Sequence, residues 1–338
     1  MDNNSNNQPA LSKEQIDSVI SLYSSGDINQ AIQRIKTLNQ EYPNVPLLFN
    51  ILGACYKSLG QFDGAVQMFK TAIKIKSDYA EAYFNLGVIF QEHDKFDEAI
   101  NSYRDALALI PKYHDAHNNL GIIFLDIGQL NDSVKHFESA ITYKPDFAEA
   151  HNNLGSALQK LEQFKAALKS YEKAISLKPE YSQAHNNIGI LYQKLGNVDS
   201  AQLSYELAIA HDLQNASAHH NLSAIKKYKV NDPQIAQMQS LISLNNLNQS
   251  DKIYLSFALA KVSEDLGKKD EFIEFLDQGN LLRKNELDFS FDKSENDNSI
   301  IKNLFNSIPS SIKNFSDNSP ALKPIFIVGM LRSGSSLV

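Results

Sequence analysis

The segment His117-Asn118-Asn119-Leu120-Gly121 is repeated along this chain at a constant spacing. It returns as His151-Asn152-Asn153-Leu154-Gly155 and, with one conservative change, as His185-Asn186-Asn187-Ile188-Gly189. Successive copies lie 34 residues apart. Self-similarity at a fixed period of this length is typical of proteins in which one small structural unit is stacked many times.

The period divides much of the chain into units that each contain two amphipathic helices. Positions 4, 7, 8 and 11 of a unit share one face of a first helix, and positions 20, 24 and 27 face them from a second helix. Proline at position 32, as in Pro111 and Pro145, ends the second helix. The units are residues 12–45, 46–79, 80–113, 114–147, 148–181 and 182–215, with a partial unit at 216–232.

This pattern resembles the tetratricopeptide repeat family, and the resemblance runs from about Ser12 to Leu222. It implies an all-α, right-handed solenoid of helical hairpins that binds a peptide or protein. A divergent hairpin after Asp251 predicts a helical extension over residues 233–288. The polar segments at residues 1–11 and 289–322 predict a disordered tail and a linker.

The composition indicates an ordinary globular protein that is mildly acidic. The chain has 338 residues, a net charge of −7 and 43% hydrophobic residues, so no basic excess favours nucleic acid. A single cysteine, Cys55, cannot form an internal disulfide. The N-terminus has no apolar signal core, and no apolar run approaches the roughly 20 residues of a membrane helix. We therefore expect a cytoplasmic protein without membrane or nucleic-acid partners.

Asparagine recurs at position 6 of five consecutive units, on the side of the first helix opposite its packed face. Because asparagine is a poor helix former, five in register are expected to lower helix stability. A carboxamide can donate to and accept from a peptide backbone, so the row predicts an extended peptide in the groove. The row resembles the asparagine ladder of O-GlcNAc transferase. Its members are Asn85, Asn119, Asn153, Asn187 and Asn221.

The asparagine row and the charged residues on the same helices each have two possible interpretations. The asparagines could instead be a neutral surface copied by duplication, and the groove charges could be solvated helix surface or a functional gradient. The charges are Glu81, Glu92, Asp115, Asp126, Glu149, Lys160 and Lys194. The position 4 histidines lie on helices about 8–10 Å apart, too far to share one metal ion, so they are expected to pack as aromatics. They are His117, His151, His185 and His219.

The C-terminal segment predicts a different chemistry. Residues 325–329, Ile-Phe-Ile-Val-Gly, have the composition of a buried parallel strand. Gly329 and Gly334 follow with the spacing of a phosphate loop, whose backbone N–H groups bind an anion. The lysine of an ATPase loop is absent, because Ser335 occupies its place, and Arg332 supplies positive charge instead.

Residues 324–337 resemble the phosphosulfate-binding loop of sulfotransferases, in particular bacterial tetratricopeptide-repeat and protein-tyrosine sulfotransferases. The resemblance implies 3′-phosphoadenosine 5′-phosphosulfate (PAPS) as co-substrate and no metal. Arg332 would contact the bridging oxygen as a catalytic residue and also bind the cofactor. The residues that would hold the 5′-phosphate are Ser333, Gly334, Ser335 and Ser336.

The sequence departs from the sulfotransferase pattern at Leu331, which replaces a proline, and at two serines that replace threonines. The family's general base, 3′-phosphate site and acceptor pocket lie beyond this loop. Residues 323–338 are therefore predicted to be a truncated start of the catalytic domain, without activity by itself. The alternative is a non-enzymatic scaffold for protein interactions, and the ladder alone would also suit the targeting arm of a glycosyltransferase.

Overall fold

The computed structural model describes residues 11–286, and this part of the chain contains sixteen α-helices and no strand. The predicted tail, linker and phosphate loop lie outside it, apart from residue 11 of the tail. The first twelve helices are α1 (Lys13–Ser24), α2 (Ile28–Glu41), α3 (Pro46–Ser58), α4 (Phe62–Ile75), α5 (Ala80–Gln91), α6 (Phe96–Leu109), α7 (His114–Asp126), α8 (Leu130–Tyr143), α9 (Ala148–Lys160), α10 (Phe164–Leu177), α11 (Ser182–Lys194) and α12 (Val198–His211). The last four are α13 (Ala216–Ile225), α14 (Pro233–Ile242), α15 (Gln249–Asp265) and α16 (Lys269–Glu286).

The helices from α1 to α12 form six consecutive antiparallel hairpins, as the period predicts. We call the odd-numbered helix of each hairpin its A helix and the even-numbered one its B helix; α13 continues the A series. From α3 onward, each A helix contacts the next A helix. Among the described helices, no two successive B helices come comparably close. The stack therefore curves with its A helices on the inner, concave side.

Each hairpin from the second to the sixth closes on one contact between a glycine and an aromatic ring. The position 8 glycine of the A helix lies against the position 24 ring of the B helix. A β-carbon built on any of these glycines would lie 2.6 Å from the ring, closer than packed carbon atoms can approach. The pairs are Gly53–Phe69, Gly87–Tyr103, Gly121–Phe137, Gly155–Tyr171 and Gly189–Tyr205.

The first hairpin solves the same packing problem with aliphatic side chains. Val19 and Ile35 occupy positions 8 and 24, and both are fully buried. Elsewhere the small residues predicted at positions 20 and 27, such as Ala99 and Ala106, are also fully buried. The predicted packing pattern of the hairpins is therefore confirmed in its main positions. In the first hairpin two aliphatic side chains fill the space that a glycine and an aromatic ring fill in the others.

The helices after α12 leave the strict repeat. Helix α13 packs mainly against α15, although α14 lies between them in sequence and makes a smaller contact with α13. Buried hydrogen bonds connect α13, α14 and the loop between them. Tyr228 Oη donates to Gln234 Oε1 at 2.8 Å, and the side-chain nitrogen of Gln234 lies within hydrogen-bonding distance of His219 Nδ1, at 3.2 Å. None of the described helices is both long enough and apolar enough to cross a membrane.

The turn between the two helices of a hairpin requires a left-handed residue at position 15. Four of the six hairpins place glycine there, for example Gly128 with φ 79°. Asp94 and Glu162 adopt the same conformation with φ 56° and 60°. A left-handed residue with a side chain costs roughly 1–2 kcal/mol, so Glu162 is a strained position.

Glu162→Gly is expected to raise the free energy of unfolding by about 0.5–1 kcal/mol. The relief of left-handed strain exceeds the extra entropy of a glycine in the unfolded chain. Urea unfolding followed by circular dichroism measures the change. As a control, Glu172→Gly in the exposed interior of α10 should lower stability by about 1 kcal/mol. Equal destabilisation by both substitutions would contradict the strain.

Candidate peptide-binding face

The asparagines predicted to face the groove form hydrogen bonds between repeats. The side-chain N–H of a position 6 asparagine donates to the side-chain oxygen of the position 5 asparagine one repeat earlier. The bonds are Asn85 to Asn50 at 3.0 Å, Asn153 to Asn118 at 3.1 Å, Asn187 to Asn152 at 2.9 Å and Asn221 to Asn186 at 3.0 Å. The asparagines that were predicted to bind a ligand therefore form hydrogen bonds that connect successive A helices.

One step of this ladder is built differently. Position 5 of the third repeat is Phe84, which has no acceptor, so Asn119 donates to the hydroxyl of Tyr103 at 3.1 Å. Tyr103 in turn donates to Gln91 Oε1 at 2.8 Å. The aromatic residue that closes the hairpin thus replaces the missing asparagine, and the polar chain continues.

The two members of each asparagine pair have different surroundings. Asn118, Asn152 and Asn186, at position 5, are buried, whereas the position 6 residues are half-buried. A carboxamide has two N–H donors and an oxygen with two lone pairs. The inter-repeat bond uses one of the two N–H donors of each half-buried position 6 amide. The sequence signal for this arrangement was the Asn-Asn doublet, whose first member sequence reasoning did not explain.

The tyrosines at position 24 extend the polar network through a glutamine at position 12. Tyr171 donates to Gln159 Oε1 at 3.1 Å, and Tyr205 donates to Gln193 Oε1 at 2.7 Å. The repeat with Phe137 at position 24 has Leu125 at position 12. Positions 12 and 24 therefore differ together from repeat to repeat. A glutamine at position 12 would have no hydroxyl donor if position 24 were phenylalanine.

The position 4 histidines do more than fill space. Each places Nε2 within hydrogen-bonding distance of the carbonyl oxygen six residues earlier, so Nε2 carries the proton and donates. The bonds run from His117 to Pro111 at 3.2 Å, His151 to Pro145 at 3.1 Å, His185 to Pro179 at 2.8 Å and His219 to Leu213 at 3.1 Å. Each imidazole thus fixes the loop between two repeats, a role that the sequence did not reveal.

His117 and His136 form a coupled pair. Their Nδ1 atoms lie 3.0 Å apart. Because Nε2 of His117 donates to Pro111, its Nδ1 accepts and His136 donates. Burial, together with the neighbouring His117, lowers the pKa of His136 to about 4. Burial also lowers the pKa of the four position 4 histidines.

The charged groove residues separate by sign along the stack. Position 13 holds Glu92, Asp126, Lys160 and Lys194 on four successive A helices. Desolvation raises the pKa of Asp126, and the positive charge of Lys160 opposes this rise. At the acidic end, Glu92 Oε1 lies 2.7 Å from the ammonium group of Lys57.

Position 2 adds negative charge to the same end of the groove. Burial raises the pKa of Tyr113 to about 12, and the negative charges of Glu81 and Asp115 add to this rise. Glu149, on the next repeat, lies 3.8 Å from the ammonium nitrogen of Lys178. Position 2 is then uncharged at Gln183.

Lys160 and Lys194 share a depression with the asparagine ladder. The depression has a volume of about 220 Å³ and also contains Ser156, Gln159 and Asn187. Lys194 Nζ lies over the ring of Phe164 at 4.7 Å and 3.8 Å from Glu162 Oε1. The structure therefore brings one predicted asparagine, Asn187, and the two predicted lysines onto one surface.

The remaining predicted site residues, Arg332 to Ser336, lie outside the described residues. Within residues 11–286, no cluster of three histidine, cysteine or acidic side chains is arranged to hold a metal ion.

Family models match the repeats. Residues 53–94 and 123–162 match one described as "TPR repeat". Two others described as "Tetratricopeptide repeat" match residues 80–113 and 148–181, and residues 170–203. The matched segments of this chain are tetratricopeptide repeats. No match was found among curated proteins.

Several solved structures are similar to this fold. The Cut9–Hcn1 hetero-tetramer of the APC/C has a TM-score of 0.57 and 19% identity, with 71% of this chain and 48% of that chain covered. MamA has a TM-score of 0.45 and 25% identity over 49% of this chain and 96% of that one. YrrB, described as a TPR protein with an unusual peptide-binding site, has a TM-score of 0.46 and 19% identity over 55% and 96%.

Acidification is expected to destabilise the tetratricopeptide stack between about pH 6.5 and pH 4. The buried histidines have pKa values below that of a free imidazole, so in this range the unfolded chain binds protons that the folded chain excludes. Stability is complete above about pH 6.5 and falls as the pH decreases toward the folded pKa values. Melting temperatures measured across this range test the sign.

His136→Gln should flatten this dependence, because a glutamine amide can still donate to His117 Nδ1 but does not titrate. His93→Gln, at an exposed position, controls for the loss of an imidazole. An unchanged slope in His136→Gln, beside an identical slope in the control, would contradict the assignment.

Proposed function

We propose that the A-helix face of the tetratricopeptide repeats binds an extended segment of a partner protein through its main chain. The observation that carries this proposal is the asparagine ladder. Inter-repeat hydrogen bonds hold its half-buried position 6 carboxamides in fixed orientations and use one of the two N–H donors of each, and in this proposal the second donor binds the partner. Hydrogen bonds to such groups need no particular partner side chain, so binding should depend weakly on sequence.

The spacing of the ladder suits an extended chain. Neighbouring helices pack about 8–10 Å apart, and an extended peptide advances about 3.3 Å per residue. One ladder carboxamide is therefore available for about every third residue of the peptide. Because these amides are fixed before the partner arrives, less conformational entropy is lost on binding.

The test compares two variants that lose the same inter-repeat hydrogen bonds. Asn153→Ala with Asn187→Ala removes two groove amides and their bonds to the previous repeat. Asn118→Ala with Asn152→Ala removes the buried acceptors of those same bonds, together with their 3.4 Å donations to the neighbouring Asn119 and Asn153, but leaves the groove amides in place. Affinities for binders selected from a random peptide library are measured by fluorescence anisotropy, with melting temperatures for every variant.

The groove-amide variant is expected to bind about tenfold or more weakly, since each lost hydrogen bond contributes roughly 0.5–1.5 kcal/mol. The buried-acceptor variant should melt at a similarly reduced temperature but keep most of its affinity. Equal affinity losses in both would show that the asparagines act only by holding repeats together. Unchanged affinity in both would remove the ladder from the binding site.

We further propose that the repeats serve as the recruiting arm of a PAPS-dependent sulfotransferase. The observation that favours this finer function is the sequence Met330-Leu331-Arg332-Ser333-Gly334 after an apolar segment. The residues that would hold PAPS fit an anion: Arg332 supplies charge, and Ser335 and Ser336 supply hydroxyls. The acceptor would be a protein held by the groove, with tyrosine as the candidate group.

This second proposal is tested in the gene and then in the enzyme. A reading frame that continues beyond Val338 into sulfotransferase sequence is expected. In the protein with its complete catalytic domain, Arg332→Ala should reduce turnover by about 10²-fold or more, whereas Lys323→Ala, before the loop, should not. Full activity of the Arg332→Ala enzyme, or unrelated sequence after Val338, would leave the interaction scaffold as the function.

A further inference from the structure

The charges beside the ladder are arranged in a row that reverses sign once. Position 13 is acidic at the C-terminal ends of α5 and α7, where it is Glu92, just after α5, and Asp126. It is basic at the ends of α9 and α11, as Lys160 and Lys194. Position 13 of the second repeat is Ser58, which is uncharged. The reversal thus falls between the fourth and fifth repeats, in the middle of the asparagine ladder.

Both halves of this row face the surface that carries the ladder. Glu92 and Asp126 occupy the same position as Lys160 and Lys194 in hairpins that close on the same glycine–ring contact, so they lie on the same side of the A-helix series. At the other end, Lys160 and Lys194 share their depression with Asn187. A peptide that follows the asparagines therefore passes the acidic side chains and then the basic ones.

Negative charge at position 2 strengthens only the first half. Glu81 and Asp115 accompany the acidic pair, whereas the position 2 residue beside Lys194 is Gln183.

Ion pairs reduce the charge in both halves: Glu149 lies 3.8 Å from Lys178, Glu92 lies 2.7 Å from Lys57, and Lys194 lies 3.8 Å from Glu162. In the part of the chain that the structure describes, Asp126 and Lys160 have no such partner outside the row, so the change of sign at position 13 is sharpest between them.

We propose that the groove selects a partner segment whose own charges are segregated, with basic residues over Glu92 and Asp126 and acidic residues over Lys160 and Lys194. This inference rests on the proposed peptide binding and specifies the chemistry of the partner. The centres of the two charge pairs are two A-helix steps apart, or about 16–20 Å. An extended segment covers that distance in about five or six residues.

Charge complementarity of this kind determines specificity and direction more than overall affinity. A segment with both charges mixed meets at least one like charge in either direction. A segment with separated charges meets none in one direction and only like charges in the other. The ladder supplies contacts that do not depend on sequence, and the charge row selects which segments are held and in which direction.

The experiment uses two fluorescein-labelled peptides of identical composition, each about twelve residues long. One has two lysines and two glutamates separated by about five uncharged residues, and the other alternates the same four charges. Binding to the full chain is measured at low and at physiological salt. The segregated peptide is expected to bind about tenfold more tightly at low salt, and the difference should shrink as salt increases.

Lys160→Glu with Lys194→Glu makes the row entirely acidic. This variant should lose the preference for the segregated peptide and gain affinity for an all-lysine peptide. Lys165→Glu with Lys169→Glu makes the same change of net charge on the exposed side of a B helix and should leave the preference intact. A photo-crosslinker at the acidic end should label residues around Lys160 and Lys194 in the wild type.

The outcomes separate this inference from the function on which it rests. Equal affinity for the two peptides, in a chain whose binding still falls in Asn153→Ala with Asn187→Ala, would overturn charge selection but keep peptide binding. A loss of preference in the Lys165 and Lys169 variant would also overturn it, since net charge alone would explain the effect. Binding of neither peptide would overturn both proposals.

Discussion

The contact between a position 8 glycine and a position 24 ring determines how closely the two helices of a hairpin approach. A single added β-carbon would enter the ring, so the separation is set by the absence of one atom. Because five hairpins use the same contact, they have the same internal geometry and stack with a constant relation between neighbours. Val19 and Ile35 in the first hairpin show that matched volume, not a particular residue, is what the position demands.

The asparagine ladder depends on that regularity. A hydrogen bond between A helices of neighbouring repeats tolerates errors of only a few tenths of an ångström, so four such bonds of 2.9–3.1 Å require repeats of equal geometry. The hydrogen bonds of the ladder also explain how five asparagines, which are poor helix formers, are accommodated in these helices. The intrinsic penalty of each residue, below about 1 kcal/mol, is offset by a hydrogen bond to the preceding repeat.

The fold could be predicted from the sequence because it follows from a period and from packing positions that recur in every unit. Contacts between units could not be predicted so fully, since they depend on the rotation from one repeat to the next. The bond from Asn153 to Asn118 and the donation from His151 to Pro145 both belong to this class. The packing of α13 on α15, with α14 between them in sequence, was not specified within the predicted helical extension for another reason: after the sixth repeat the period no longer constrains which helix packs on which.

The same asparagines serve stability and, in our proposal, recognition, and these roles support each other. A free asparagine side chain on a helix samples several rotamers, and a peptide that bound it would have to restrict them. Here the preceding repeat already restricts them, so the amides present a fixed pattern before a partner arrives. Fixed amides in every repeat cannot distinguish one peptide from another, because each offers the same donor. Selectivity must then come from positions that differ between repeats. On this face the clearest such difference is the change of charge at position 13, from Asp126 in the fourth repeat to Lys160 in the fifth.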